Sequence, residues 1–289
     1  MGLGDVVRRA VTFLGRATAP AAPSSGVTLY GAGVGANARL VGVGQDAGGG
    51  THRVDLWRPP GLVFAMTEHY LNGQCVVHGP TPGSALRLES NGSGTGAGSA
   101  HLKAYLEALG TIQLTTGTDT TGGAAVYQPV APSVYQLGTA AVRAETRWLI
   151  PVLSDGTDDF TCRCGPFWSA GAAAAAGSNG SHGLFFRYNH GTLSGNLECV
   201  SRAAASETTS DSGIAVAADQ WYRLAVEVNA DASSVDFLVD GVVVATHTTD
   251  VPSGSGQLVS VGGAIKKAAG TTARIAYYDL WHYEMRYAA

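Results

Sequence analysis

Charge is scarce in this sequence. Asp, Glu, Lys and Arg together make up 14% of 289 residues, against about 25% in an ordinary globular chain, so few solvated helix faces can be built from it. The balance of 18 basic and 22 acidic residues is net −4, which leaves no basic footprint and argues against a nucleic-acid partner. No apolar run approaches the ~18 residues that cross a membrane as a helix, so membrane insertion is not expected. The stretch MGLGDVVRRAVTFLGRATA ends in Ala17-Thr18-Ala19, which imitates a signal-peptidase site. The apolar run between Arg9 and Arg16 is only six residues, short of the ~7 to 15 of a leader, and Asp5 weakens the basic region further, so a cleaved signal is not expected.

Cysteine is equally sparing. Of the four, Cys75, Cys162, Cys164 and Cys199, none forms a CxxC or a His-spaced set, so no zinc site is implied. Buried free thiols are the expected state, suited to assembly in a reducing cytoplasm, with a bridge from Cys162 or Cys164 to Cys199 as the alternative. No G-x-x-x-x-G-K and no G-x-S-x-G occurs. YGAGVGA at 30–36 imitates a dinucleotide fingerprint, but Gly42 and Gly44 interrupt the helix that would have to follow, so it reads as a β-turn cluster. No cofactor is expected.

Glycine, by contrast, is abundant: 40 residues, about twice the usual ~7%. Many turns and few charged helices together indicate an all-β protein with long polar loops, sheltered by neighbours in an assembly. The clearest local signal is SSVDFLVDGVVVATH, 233–247. Asp240-Gly241 supplies the positive φ angles of a two-residue type I′ hairpin, which sets Val239 against Val242, Leu238 against Val243 and Phe237 against Val244. Alternation then gives a covered apolar face of Val235, Phe237, Val239, Val242 and Val244. The other face is mixed, with Asp236, Leu238, Val243, Ala245 and His247.

Upstream, WYRLAVEVN alternates as a strand and makes a three-stranded meander with the hairpin. VRAETRWLIPVL places Val142, Ala144, Thr146, Trp148, Ile150 and Val152 on one face and Arg143, Glu145, Arg147 and Leu149 on the other. FTCRCGPFW, GLFFRYN, NLECVSR and ARIAYYDLWHYE add further strands. AHLKAYLEALG, 100–110, has helical spacing but reads equally as a strand and a turn. At the N-terminus, Leu3, Val6, Val7, Val11 and Leu14 form the stripe of a short amphipathic helix, marginal unless it docks. The organisation expected is an attachment arm over 1–25, a small β-hairpin module over 26–60 (VTLYGAG and ARLVGVGQDAGGGTHRVDL), and one large β domain over 61–289.

The order ETRWLIPVLSDGTDDFTCRCG, GLFFRYN, NLECVSR, WYRLAVEVN, VDFLVDGVVVATHTTDVP and a closing aromatic strand resembles the concanavalin-like (laminin G-like) jelly rolls of bacteriophage structural proteins. LVFAMTEHYLNGQ and LGTIQLTTGTDTTGGAAVYQ look like the opening strands of the same domains, and GVTLYGAG…LVGVGQDAGG is similar to the small β module near the N-terminus of phage tail and fibre proteins. The resemblance, which spans roughly residues 27 to 287, implies a jelly-roll sandwich of antiparallel sheets. It further implies a non-enzymatic virion protein, assembled in the host cytoplasm. Such a protein would be a minor tail or tail-fibre subunit, or else a capsid decoration protein, with other virion proteins and its own copies, as a homotrimer, for partners. The stripe Leu3, Val6, Val7, Val11 and Leu14 would be the attachment peg or trimer seam.

Some relatives of this sandwich are glycoside hydrolases, so the alternative of another class is a free lectin or sugar hydrolase. Retaining hydrolysis needs two carboxylates ~5 to 5.5 Å apart, which those enzymes take from an E-x-D-x-E run. The run is absent here; Glu145 has Arg143 and Arg147 on its own face and reads as an ion-paired surface group, and Glu198 and Glu227 stand alone. No catalytic residue is expected. Asp155, Asp158 and Asp159 in SDGTDDF would suit calcium, as in some laminin-like jelly rolls, but lack regular ligand spacing and read as an Asp-capped turn. What remains is binding: Trp168, Arg187, Tyr188 and His190, at or near ends of the middle strands, are the candidate ligands for a host-surface glycan.

Overall fold

The computed structural model of the chain describes residues 27–32, 39–45, 51–55, 63–68, 89–105, 108–127, 135–166 and 175–286. The expected helix with Leu3, Val6, Val7, Val11 and Leu14 lies outside them, as do Cys75 and Trp168. The chain divides into two compact units, Met1–Val63 with Tyr287–Ala289, and Phe64–Arg286. In the first, β1 (Val27–Ala32), β2 (Arg39–Gln45) and β3 (Thr51–Asp55) form an antiparallel sheet in that order. The second of the two segments expected there thus folds back on itself.

The large unit opens with β4 (Val63–Glu68), β5 (Glu89–Ser93), β6 (Gly98–Tyr105), β7 (Ala108–Thr115), β8 (Gly123–Tyr127) and β9 (Tyr135–Gln136). Next come β10 (Ala141–Leu149), β11 (Phe160–Pro166), β12 (Gly183–Tyr188), β13 (Asn196–Ala203), β14 (Ser206–Ala215) and β15 (Tyr222–Val228). It closes with β16 (Val235–Val239), β17 (Val242–His247), β18 (Leu258–Val259), β19 (Val261–Lys267) and β20 (Ile275–Arg286). One sheet has the order β17-β16-β15-β10-β20-β7-β6, with β4 also on β20. The other has the order β14-β13-β12-β11-β19-β8-β5. Residues 98–115 pair as a hairpin with Tyr105 opposite Ala108, so the strand-and-turn reading of 100–110 holds and the helical one does not.

These are the two antiparallel layers of a jelly-roll sandwich, and alternation decides what lies between them. Val142, Ala144, Thr146 and Trp148 of β10 point inward with Tyr222, Leu224 and Val226 of β15, and meet Cys162, Cys164, Leu184, Phe186, Tyr188 and Cys199 of the opposite sheet. Aromatic rings interlock across the gap: Phe186 meets Phe237 edge-on at 5.4 Å, and Trp148 lies 6.3 Å from Tyr188. Such tilted pairs add about 0.5 to 1.5 kcal/mol each beyond their buried area. Tyr278 crosses the core and donates its hydroxyl to the carbonyl of Arg163 at 3.0 Å. Its ring occupies the space where a Cβ on Gly263 would lie, 2.5 Å from Cε1, so only glycine fits there. Val152, expected to continue the inner face of β10, is 52% exposed because the strand ends at Leu149.

Cys162, Cys164 and Cys199 are free and buried, so none of the three takes part in a bridge. Burial pushes all three thiols well above their ordinary pKa.

At the hairpin tip, Asp240 and Gly241 have φ of 51° and 84°, the type I′ geometry, and the first two cross-strand pairs are as expected. The third differs, because Phe237 opposes Ala245 and a bulge absorbs Val244. One extra residue moves every later side chain to the other face. His247 therefore faces inward opposite Val235 and is 3% exposed. Val242, on the edge strand of its sheet, is 65% exposed rather than covered. His247 ties the two layers together: its Nδ1 is 2.8 Å from Ser201 Oγ and its Nε2 2.8 Å from Ser210 Oγ. Ser201 gives its proton to the Thr249 carbonyl, so Nδ1 carries the hydrogen and Nε2 accepts from Ser210. Burial holds this imidazole below its ordinary pKa, against a smaller opposing pull from Asp250.

Candidate functional site

Each strand of the seven-stranded sheet that turns one side chain into the core turns the next outward. With Cys162 and Cys164 inside, Arg163 faces out. With Phe186 and Tyr188 inside, Phe185 and Arg187 face out. The register then places Arg163 opposite Arg187, and Arg187 opposite Glu198. Arg187 donates from Nε to Glu198 at 2.6 Å and from Nη1 to Glu207 at 2.9 Å. Glu207 also accepts from Arg202 Nη1 at 2.9 Å, and Glu198 from the hydroxyl of Thr192. The next carboxylate on this face, Asp211, is turned to the side-chain amide of Asn196.

The electrostatics follow from this pairing. Burial alone would raise the Glu207 carboxyl, but Arg187 and Arg202 outweigh it and hold it below the usual carboxylate range. Burial alone would lower Arg187, and Glu198 and Glu207 reverse that. Arg163 has no such support. It is 9% exposed, and burial, with Arg187 adding to it, brings its pKa down to about 10. Among the described residues its Nε and Nη1 have no acceptor.

Residues 175–182 roof this surface. Ala175 is fully buried against Ala125, Tyr127 and Ala264, and Gly177 packs on the stem of Lys266. Further along, Asn179 reaches Glu207, Gly180 O accepts from Arg202 Nε at 2.9 Å, and Ser181 O accepts from Ala205 N at 2.8 Å. The segment thus starts over β8 and β19 and ends at the β13–β14 turn, and so passes over β11 and β12.

Of the four residues expected to hold a glycan, Arg187 lies on this face and His190 at its end. His190 Nδ1 is 3.0 Å from Ser154 Oγ and 3.2 Å from Asp159 Oδ1, and the neighbouring Asn189 reaches Thr161 at 3.1 Å. Tyr188 is not part of it. Its side chain alternates inward, is 2% exposed and packs near Phe160, and burial raises its hydroxyl to about 12. Sequence reasoning missed Arg163, Arg202 and Glu207. The available signal was a lone charge between inward-facing residues, as in Cys162-Arg163-Cys164.

The acidic loop is tied down by its own chain. Asp155 Oδ1 accepts from the backbone N–H of Thr157 and Asp158 at 2.7 and 2.8 Å, which lowers its pKa. Arg274 Nη2 stands between Asp155 and Asp158, at 3.1 and 3.0 Å. Asp159 turns away to Ser154. Among the described residues no group of three His, Cys, Asp or Glu side chains is arranged to hold a metal.

On the eight-stranded sheet, Glu145 is not the surface group expected. It is 3% exposed, held by Arg143 at 2.7 Å and by Arg223 from the next strand, while Arg147 turns to Asp279 at 3.0 Å. Burial would raise its carboxyl, and the two arginines bring it below the ordinary range instead. A cleft of about 260 Å³ at the end of this face is lined by Arg143, Glu227, Asn229, Asp236, Glu284 and Arg286. Its arginines are already matched, Arg143 with Glu227 and Arg286 with Glu284, and Asp236 accepts from the hydroxyl of Thr246.

The fold is shared with a protein of distant sequence, and other solved structures superpose less closely. A protein of unknown function, SO2946 from Shewanella oneidensis MR-1, superposes with a TM-score of 0.50 at 13% identity, over 78% of this chain and 88% of that one. A peanut lectin with a 9mer peptide does so at 0.48 and 12%, over 78% and 99%. A Bacillus licheniformis beta-glucanase does so at 0.43 and 13%, over 80% and 100%. No curated protein matches the chain in sequence. Residues 107–279, more than half of the chain, match the SO2946-like C-terminal domain, and the protein belongs to that family.

Proposed function

We propose that the jelly-roll unit is a carbohydrate-binding head that does not cleave its ligand, carried by a bacteriophage tail or tail fibre as a homotrimer. The observation that carries the binding reading is the outer face of the seven-stranded sheet. There Arg187, Arg202, Glu198, Glu207, Asn189 and His190 form one surface of fixed donors and acceptors. Sugar hydroxyls are both donors and acceptors, and a guanidinium locked by two carboxylates offers its remaining N–H groups in a rigid fork. The absence of cleavage is supported by the acids themselves. Glu145, Glu198, Glu207, Glu227, Asp279 and Glu284 each contact an arginine. A general acid needs the opposite, a carboxyl held protonated near neutral pH. The particle assignment rests on the order of strand motifs and on the small β unit that precedes the head.

A glycan array probed with the full chain, run beside a reducing-sugar assay on the best ligands, tests the first part. Binding without release is the expected result; release of reducing ends, or silence across the array, would overturn it. Gold-labelled antibody against the head should decorate phage tails, and sedimentation should give three chains per particle. Label on the capsid shell would favour the decoration protein instead.

A further inference from the structure

We infer that Arg163 is the anchor of an anion subsite on the outer face of the seven-stranded sheet, filled by the oxyanion of an acidic saccharide, its carboxylate in the first instance. The identity of the ligand rests on the carbohydrate-binding reading; the anion subsite itself rests on geometry. A guanidinium is costly to enclose without an acceptor, and buried donors in folded proteins nearly always have one. Arg163 is nine-tenths buried, and two of its three nitrogens have no partner among the described residues. Its cross-strand neighbours are Ala264 and another arginine, Arg187, and like charges placed opposite one another destabilise a sheet. The carboxylates nearby are already committed, Glu198 to Arg187 and Glu207 to both Arg187 and Arg202. Two adjacent guanidiniums with one set of acids leave a positive site one anion short. It lies under residues 175–182, beside the polar groups proposed to meet sugar hydroxyls. An acidic sugar would satisfy both at once, its carboxylate on Arg163 and its hydroxyls on the Arg187 network.

The arrangement makes an unusual prediction for a buried residue. Arg163→Met keeps the apolar stem and removes the unmatched charge, so the ligand-free protein should melt at the same temperature or higher. If Arg163 served the fold, the same change would lower the melting temperature. The experiment is thermal denaturation and calorimetric titration of the full chain with sodium glucuronate, inorganic phosphate and glucose at matched ionic strength. Glucuronate should raise the wild-type melting temperature saturably, and Arg163→Met should weaken that binding by at least about tenfold, the loss of one charge-assisted hydrogen bond. Arg286→Gln, on an exposed side chain of the other sheet, should leave it intact. A saturable response to phosphate alone, lost in Arg163→Met, would support the subsite while assigning it to a free anion and removing the saccharide. Binding of glucose or neutral oligosaccharides with no response to either anion would overturn the subsite and leave the carbohydrate reading standing. Anion binding unchanged in Arg163→Met would also overturn it, as would a variant that does not fold, and a wild-type chain that binds neither anion overturns it without the variant.

Discussion

The two outer faces of the sandwich are built alike and charged differently. On the eight-stranded sheet every arginine described above is paired with an acid. Arg143 and Arg223 share Glu145, Arg147 takes Asp279 and also lies 5.1 Å over the Trp221 ring, and Arg286 takes Glu284. On the seven-stranded sheet Arg187 and Arg202 are matched and Arg163 is not. A face whose charges close on themselves stabilises the fold and offers little to a ligand. A face with one buried charge left over is poorer as structure and better as a site.

Removing acids from each face would sharpen this contrast. Glu145→Ala should have the largest effect, about 3 kcal/mol of stability in urea denaturation, because it strips two arginines of their shared, nearly enclosed partner. Glu207→Ala should cost less, about 2 kcal/mol, since Glu207 is more open and Arg187 keeps Glu198; it should also disturb sugar binding, which Glu145→Ala should not. If Glu145→Ala altered binding and Glu207→Ala did not, the two faces would have been assigned the wrong way round.

Acid provides a third comparison. His247 is neutral in the folded state with a lowered pKa, so its contribution is complete above the unfolded value, ~6.5, and is lost as pH falls from there toward the folded value. Glu145 and Glu207, also lowered, contribute fully above ~4.3 and lose their contribution as pH falls through their folded values. Melting temperature against pH should therefore fall in two steps, and His247→Gln should erase the upper one only. The smallest effect is expected for Arg286→Gln, a melting temperature barely changed, since its side chain is 65% exposed and a surface pair of this kind contributes little.

Much of the sandwich was legible because its strands announce their phase. Val142 to Trp148 alternate cleanly, and the Asp240-Gly241 turn can close in few ways. The bulge at Val244 was not legible, because Val242-Val243-Val244-Ala245 carries no alternation to mark where the register slips, and the inward turn of His247 was lost with it. Glu145 was readable as ion-paired but not as buried. Its enclosure depends on Arg223, 78 residues away in sequence, and sequence proximity pointed to Arg147 instead. Arg187 was found by its place at a strand end, whereas Tyr188 was included although the phase set by Leu184 and Phe186 already turns it inward. Arg163 was passed over for the opposite reason. A charge inside an apolar strand looks like an ordinary solvent-facing residue until the chain that covers it is known.

The enclosed thiols of Cys162, Cys164 and Cys199 have a consequence for durability. Oxidants and disulfide reagents attack the thiolate, and these sulfurs hold almost none of it at neutral pH. These three residues are therefore indifferent to the redox poise around them. They can pass from a reducing compartment to an oxidising one without a crosslink or a sulfonate forming at any of the three.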